Sequence, residues 1–293
     1  MPWILMSKEY AMENYSVLMS VYCGEKAEFL RLSADSVFGQ TIPTDDFVLM
    51  CDGPLTDELN NVISDLLREH GNILRVIRLE ENRGLGEALN IGIEACKNEL
   101  IARMDSDDFA LPNRFELQLR KFREHPELSI VGGAIDEFEG TPSNIVSHKS
   151  MPETHEEILR YARTRNPFNH PTVMYRKSAV LKAGSYPNRM LHEDYALWAN
   201  MLLGGAKGCN LPDTLCYMRV DSGLYDRRGG WSYLKLAIRL RWYLYRVGLS
   251  PFPSFLYAVL VLSVVCLIPV SARKAIYRLF LRQDTRDTER DSL

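Results

Sequence analysis

The chain has few cysteines and no closely spaced cysteine pair. Its six cysteines are scattered over 293 residues, and no two of them form a Cys-x-x-Cys motif. This spacing predicts neither a disulfide framework nor a zinc site, and it fits a reducing cytosol. Residues 1–6 are apolar, but they lack a basic segment and are too few for a signal peptide, so the sequence does not indicate export.

Internal repeats and low-complexity linkers are also absent before residue 220. With 46% hydrophobic and 25% charged residues, the chain can bury one good core, or one core with a smaller appendage. The net charge is only −3, but residues 221–293 hold 12 Lys and Arg against 6 Asp and Glu, while the rest holds 23 against 32. The basic C-terminal segment predicts an anionic partner, either a membrane surface or nucleic acid.

Hydrophobic patterns alternate between strand and helix periods along the first third of the chain. Such alternation predicts a parallel sheet with helices on both faces, in which ligands bind at the carboxyl ends of the strands. Small residues at Gly84, Ala88 and Gly92 recur every four positions and predict a helix that packs close to the sheet. The predicted strands are 15–22, 46–51, 73–79 and 100–104, and the predicted helices are 25–38, 56–70 and 85–96.

Three carboxylates, those of Asp105, Asp107 and Asp108, directly follow the last of these strands. Carboxylates so close together repel one another unless a cation lies between them. Hard divalent cations such as Mg²⁺ take oxygen ligands and keep positions open for substrate phosphates, so the turn is a candidate metal site. A solvated acidic turn or a helix N-cap remains an alternative at this point.

Two further positions fall at the same predicted sheet edge. Asp52 ends the second strand before the turn-forming Gly53-Pro54 pair, where its carboxylate could accept hydrogen bonds from a base or ribose. Arg83 begins the helix after the third strand, a position that suits a phosphate or nucleotide. The sequence Gly84-Leu85-Gly86 lacks the third glycine of a dinucleotide-binding motif and follows the wrong strand, which argues against that class.

The order and spacing of these motifs resemble family 2 glycosyltransferases of the GT-A fold. The likeness runs from about residue 15 to residue 230 and is nearest to bacterial enzymes of the amylovoran and O-antigen type, which extend lipid-linked repeat units. It implies a GT-A (Rossmann-like), mostly parallel sheet flanked by helices. The motifs are Ser20-Val21-Tyr22 with Glu25, Cys51-Asp52-Gly53, Asn82-x-Gly84-x-x-x-Ala88-x-Asn90-x-Gly92, and Arg103-Met104-Asp105-Ser106-Asp107-Asp108 followed by Leu111-Pro112-Asn113-Arg114.

The resemblance also implies roles for individual residues. It assigns the general base to Asp194, with Glu193 shaping the acceptor site, His170 in support, and Mg²⁺ or Mn²⁺ held by the Asp105, Asp107 and Asp108 carboxylates. Acidic residues at a helix start, such as Glu193 and Asp194, also stabilise the helix through its dipole. The paired Arg227 and Arg228 suit diphosphate oxygens, but they would equally suit a lipid phosphate or a solvated surface. The implied donor-binding residues are Val21, Tyr22, Glu25, Asp52, Arg83, Asp105, Asp107, Arg227 and Arg228.

The C-terminal segment predicts membrane association. We place a catalytic domain at 1–225 and a basic and apolar helical region at 226–293, where Lys235, Arg239 and Arg246 form a stripe beside aromatic residues, a pattern typical of membrane interfaces. The uninterrupted apolar run 255–268 would reach only about 21 Å as a helix, short of the roughly 30 Å hydrocarbon core. In-plane or re-entrant association is favoured over a full span, with a further basic repeat at Lys274, Arg278 and Arg282.

The resulting prediction is an inverting, metal-dependent transferase of one sugar. Glucose or galactose would pass from a UDP-sugar to a polyprenyl-diphosphate-linked saccharide at the cytoplasmic face of a bacterial inner membrane, with the protein peripheral or monotopic and no nucleic acid bound. The alternative is a catalytically silent, membrane-associated protein that binds nucleotide sugars. A haloacid-dehalogenase-type phosphatase is disfavoured, because its Asp-x-Asp follows the first strand. A processive synthase is disfavoured because Ile238 replaces the expected Gln before Arg241-Trp242.

Overall fold

The computed structural model describes residues 13–187, 192–220 and 230–268. Strands and helices alternate as far as β4, and the later elements are mixed in order. The strands are β1 Tyr15–Val21, β2 Asp46–Cys51, β3 Leu74–Arg78, β4 Leu100–Asp105, β5 Phe109–Ala110, β6 Leu128–Phe138, β7 Ile145–Lys149, β8 Met174–Arg176 and β9 Lys207–Arg219. The helices are α1 Ala27–Phe38, α2 Asp57–His70, α3 Leu85–Ala95, α4 Arg114–Glu124, α5 His155–Tyr161, α6 Lys177–Lys182, α7 Glu193–Leu203, α8 Gly230–Arg246 and α9 Phe252–Leu267.

The strands form one curled sheet with the order β3-β2-β1-β4-β8-β6-β9-β5, and β7 pairs with β6. The pairings among β1, β2, β3 and β4 are parallel, whereas β8 runs antiparallel to both β4 and β6. The α/β fold and the seven predicted elements of the first third are confirmed, with ends that differ by at most two residues. The second half of the sheet is mixed, because β6 is parallel to β9 whereas β5, β7 and β8 run antiparallel to their neighbours, so only the first half is parallel throughout.

Side chains alternate between the two faces of the sheet and build two core clusters. In β1, Val17 and Met19 contribute to one cluster, while Leu18 between them contributes to the other, as the twofold period of a strand requires. Helix α3 covers the second face closely. A side chain at Gly92 would collide with Leu18 and Met50, so the predicted close packing of this helix is confirmed there.

Gly84 has a different role from the one expected. It is the N-cap residue of α3 with a φ of +88°, a region that favours glycine, and nothing lies near the position of an added Cβ. Its backbone conformation, rather than close packing, therefore explains the glycine.

Helices α8 and α9 follow the sheet and pack against each other. The buried residues Leu240, Leu244 and Leu249 belong to the second core cluster, which joins α8 to α7. Among the described residues, no helix combines the length and the apolar character that crossing a bilayer needs.

Candidate active site

The parallel half of the sheet brings three predicted site residues to one edge. Ser20 pairs with Asp105, and Val21 pairs with Cys51, the residue before Asp52. The carboxyl ends of β1, β2 and β4 are therefore level. Side chains that leave these strands meet at the edge where open α/β sheets bind ligands.

The Asp105, Asp107 and Asp108 carboxylates form a cluster, with one oxygen from each within 4.8 Å of the others. Burial, followed by the charges of Asp105 and Glu25, raises the pKa of Asp107 to about 7. Burial and the neighbouring Asp107 and Asp105 also raise the pKa of Asp108 well above its ordinary value. The three groups therefore resist carrying full negative charge together unless a cation joins them.

The cluster fits a divalent cation. All three donors are carboxylate oxygens, the ligands that Mg²⁺ and Mn²⁺ prefer. Asp108 Oδ1 accepts a hydrogen bond from the backbone N–H of Arg219 at 2.9 Å, while its buried Oδ2 has no partner among the described residues. A buried oxygen without a donor is costly, and a metal ion would supply the missing partner.

Two arginines, Arg103 and Arg219, flank the cluster. Arg103 is 1% exposed and donates two hydrogen bonds to the Asp105 carboxylate, fixing its orientation. Arg219 donates from Nε to the backbone oxygen of Asp107 at 3.2 Å and stacks on Phe29, 3.7 Å from the ring centroid. The signal for Arg103 was in the sequence, because a charged residue inside an otherwise apolar strand needs a buried partner.

Asp52 holds the loop that leads into α3. Its two carboxylate oxygens accept hydrogen bonds from the backbone N–H groups of Arg83, at 2.7 Å, and Gly84, at 3.0 Å. The Arg83 side chain points away from this contact and donates to Glu87 at 3.3 Å, with 42% of its surface exposed. Asp52 and Arg83 thus lie at the predicted sheet edge, and the carboxylate orders the loop there.

The segment after β1 borders the cluster. Val21 is buried, whereas Tyr22 is 49% exposed and its ring lies over Gly24. Glu25 accepts a hydrogen bond from the Ser106 hydroxyl at 3.3 Å, which links this segment to the Asp-x-Asp turn. The structure therefore brings Glu25 beside the cluster, while the donor-binding roles of Val21 and Tyr22 stay predictions.

A second acidic pair, Glu193 and Asp194, begins α7. Asp194 is 8% exposed, and its Oδ2 accepts a hydrogen bond from the side-chain amide of Asn166 at 2.6 Å. No described residue donates to its Oδ1. The sequence interpretation did not include Asn166, and no local pattern relates a loop asparagine to a helix 28 residues later.

The charges of both acidic groups act on Glu193. Burial raises the pKa of the Glu193 carboxyl, with further contributions from the nearby charges of Asp194 and Asp105. Arg103 lies close enough to act in the opposite direction. Glu193 is therefore near enough to both carboxylate groups for their charges to act on it.

His170 lies in a short 3-10 helix. Its Nε2 and the Tyr186 hydroxyl are 2.9 Å apart, and its ring meets Trp198 edge-on. Desolvation, helped by the charge of Arg103, holds the pKa of His170 well below its ordinary value, so the imidazole is neutral. These contacts fix the position of His170 in the fold, and its supporting role stays a prediction. The candidates Arg227 and Arg228 lie outside the described residues.

Comparison with known proteins identifies relatives of this chain. A UDP-Gal:alpha-D-GlcNAc-diphosphoundecaprenol beta-1,3-galactosyltransferase of Escherichia coli is 36% identical over 92% of this chain and 97% of its own length. The amylovoran biosynthesis glycosyltransferase AmsE of Erwinia amylovora is 39% identical over 80% of this chain and 86% of its own length. The mannosyltransferase PcManGT from Pyrobaculum calidifontis, solved with GDP-Man and Mn²⁺, has the same fold, with a TM-score of 0.61 at 15% identity over 94% of this chain and 82% of that chain.

The mixed sheet flanked by helices has the GT-A fold. Residues 16–186 match the Glycosyl transferase family 2 domain, and the chain belongs to that family. It is an enzyme, and the resemblance inferred from its motifs is confirmed. A haloacid-dehalogenase-type phosphatase is excluded.

Proposed function

We propose that this enzyme transfers one hexose, glucose or galactose, from a UDP-sugar to a saccharide carried on polyprenyl diphosphate, with inversion at the anomeric carbon. The observation that carries the proposal is the likeness to the Escherichia coli galactosyltransferase, whose name states a UDP-Gal donor and a GlcNAc-diphosphoundecaprenol acceptor. The likeness extends over 97% of that enzyme's length. The product would be a repeat unit of an O-antigen or exopolysaccharide.

In this proposal Asp194 is the general base. An acceptor hydroxyl attacks the anomeric carbon from the face opposite the diphosphate, the new glycosidic bond forms, the bond to the diphosphate oxygen breaks, and the hydroxyl proton passes to Asp194. The hydrogen bond from Asn166 to Oδ2 leaves Oδ1 for the proton. Burial of the carboxylate supports the role, because a shielded base is held in one orientation.

The donor side is formed by the carboxylate cluster and the segments around it. Asp105, Asp107 and Asp108 would hold Mg²⁺ or Mn²⁺, which neutralises charge on the leaving diphosphate when bound. Arg103 keeps Asp105 oriented, and Glu193 directly precedes the base at the start of α7. Val21, Tyr22, Glu25, Asp52 and Arg83 would surround the nucleotide, and Arg227 and Arg228 would contact the diphosphate.

The α8–α9 hairpin would bind the cytoplasmic face of a bacterial inner membrane, making the protein peripheral or monotopic. The exposed face of α9 is apolar, with Tyr257, Leu260 and Val264 each 58 to 60% exposed. Lys235, Arg239 and Arg246 are exposed on α8 and suit anionic headgroups. The combination of basic and apolar surface favours a bilayer over nucleic acid, which offers no apolar phase.

A panel of nucleotide sugars, offered with a synthetic lipid-diphosphate N-acetylglucosamine acceptor, tests the proposal. We expect divalent-cation-dependent transfer from UDP-galactose or UDP-glucose to give one product of defined linkage. The acceptor without a diphosphate and the donor without acceptor serve as controls. Absence of transfer from every UDP-hexose would overturn the donor assignment, and transfer from another nucleotide sugar of the panel would replace it.

A further inference from the structure

We propose that the loop at residues 163–166 binds the diphosphate of the lipid-linked acceptor through Arg163 and Arg165. The inference rests on the proposed function, since it assigns a site to the anionic part of that acceptor. Neither arginine belongs to the motifs that the sequence interpretation used. Both side chains are exposed, although the adjoining residues Ala162 and Pro167 are buried.

The loop is attached at one end to the candidate base. Asn166, its last residue, donates the 2.6 Å hydrogen bond to Asp194. Three residues of chain span roughly 10 Å at most, so Arg163 and Arg165 start within that distance of Asn166. An acceptor hydroxyl placed at Asp194 therefore has both arginines close by.

The same loop is attached to the α8–α9 hairpin. The hydroxyl of Ser250, in the turn between the two helices, donates to the backbone oxygen of Arg163 at 2.8 Å. The Tyr195 hydroxyl on α7 donates to the backbone oxygen of Ala162 at 2.7 Å and accepts from Arg241 on α8 at 3.2 Å. These contacts place the loop between the helix that carries the base and the surface proposed to bind the membrane.

This position matches the order of groups in the acceptor. In a monosaccharide acceptor such as the one named for the Escherichia coli relative, a single sugar ring separates the attacking hydroxyl from the diphosphate, and the polyprenyl chain follows. With the hydroxyl at Asp194 and the lipid at the hairpin, the diphosphate falls in between. That is where Arg163 and Arg165 lie.

The two guanidinium groups are available for an anion. Within the part of the chain that the structure describes, neither forms an ion pair with a carboxylate, unlike Arg31, Arg75, Arg83 and Arg103. Arg165 lies over the ring of Tyr161, 5.8 Å from its centroid, a contact that restricts the side chain without neutralising it. Unneutralised, partly ordered arginines are suited to bind phosphate oxygens with charge-assisted hydrogen bonds.

The test compares two acceptors that carry the same sugar, one on a prenyl diphosphate and one on an uncharged alkyl chain of equal length. For wild type, Arg163→Gln with Arg165→Gln, and the control Arg120→Gln, the ratio of kcat/KM for the two acceptors is measured in detergent. We expect the double variant to lower the ratio at least about 10-fold, the effect of losing a charge-assisted hydrogen bond. Arg120 is exposed on α4, outside the proposed site. Its variant also replaces an exposed arginine by glutamine and should keep the wild-type ratio.

A binding measurement separates failure of this inference from failure of the proposed function. Farnesyl diphosphate is titrated into each protein with saturating UDP and Mn²⁺, so that the donor side is occupied. Weaker binding by the double variant supports the site even if no lipid-diphosphate acceptor is turned over, an outcome that would refute the proposed function alone. An unchanged acceptor ratio with unchanged farnesyl diphosphate binding overturns the inference. It is also overturned if the double variant differs from wild type only in flotation with anionic vesicles, because the arginines would then bind phospholipid headgroups.

Discussion

The two acidic groups of the active site are held by different kinds of structure. Asp105 extends a strand of the parallel sheet and is oriented by Arg103, two residues earlier. Asp194 begins a helix, and its partner Asn166 comes from a loop 28 residues earlier. The donor side thus depends on one continuous sheet, whereas the acceptor side depends on contacts between distant segments. We therefore expect substitutions that change acceptor specificity to disturb the fold less than substitutions that change donor binding.

The largest effect is expected at the sheet edge. Asp107→Ala should reduce transfer below detection, because it removes one of the three clustered carboxylates that would hold the metal ion. Excess EDTA should do the same to the wild-type enzyme, and Mn²⁺ or Mg²⁺ should restore it. Glu124→Ala, at an exposed carboxylate at the end of α4, is the control. Full wild-type activity in EDTA would contradict the metal assignment.

A smaller but still large effect is expected at the base. Asp194→Asn keeps the shape of the side chain but removes the proton acceptor, so kcat should fall at least about 100-fold. Binding of the UDP-sugar, measured by titration, should persist because the donor side is built separately. Near-normal turnover would reassign Asp194 to capping of α7.

Changing Asn166 tests whether the acceptor side depends on its loop. Asn166→Ala should lower kcat by about 10-fold or more, because misplacement of a catalytic group by as little as 1 Å can cost about 100-fold. The double variant with Asp194→Asn should be no slower than Asp194→Asn alone, since the asparagine acts through the carboxylate. Additive losses would show that Asn166 acts independently of Asp194.

Removal of the hairpin tests the membrane proposal. Truncation after about residue 248 deletes α9, and liposome flotation should drop substantially, with use of long-chain lipid acceptors impaired more than use of short-chain ones. High salt should weaken flotation of the intact protein without abolishing it, because each basic residue contributes only about 1 kcal/mol and apolar burial is insensitive to salt. Equal flotation of the two proteins would contradict the proposal.

The smallest effect concerns stability of the sheet itself. Burial alone would raise the pKa of Asp46, but hydrogen bonds from the Lys97 backbone, Ser16 and Arg75 outweigh it and lower that pKa. Because the pKa of Asp46 is lowered in the folded state, its ionised carboxylate stabilises the fold at pH values above the unfolded-state pKa of about 3.9. This stabilisation is lost as the pH falls through the folded-state pKa. Asp46→Asn should therefore reduce the free energy of unfolding at pH 7 by about 2 kcal/mol, a difference that shrinks below about pH 4 in urea titrations.

The same contrast explains what could be predicted from the sequence. The predicted ends of β2 agree with the structure, and the predicted start of α2 differs by one residue, because apolar periodicity is a local signal. Asp105, Asp107 and Asp108 were likewise found by their spacing. The pairing of β8 with β4 and the contact of Asn166 with Asp194 arise only when distant segments meet, so no local pattern contained them.

The apolar face of α9 has a kinetic consequence if it binds the bilayer. An enzyme held on a surface meets its acceptor by diffusion in two dimensions, so turnover follows the mole fraction of acceptor in the membrane rather than its bulk concentration. Adding inert lipid at a constant amount of acceptor would then slow the enzyme, although the bulk concentrations of enzyme and acceptor would be unchanged. Helix α9 is uncharged and exposes Tyr257, Leu260 and Val264. By binding the bilayer, it would set the effective concentration of acceptor at the active site.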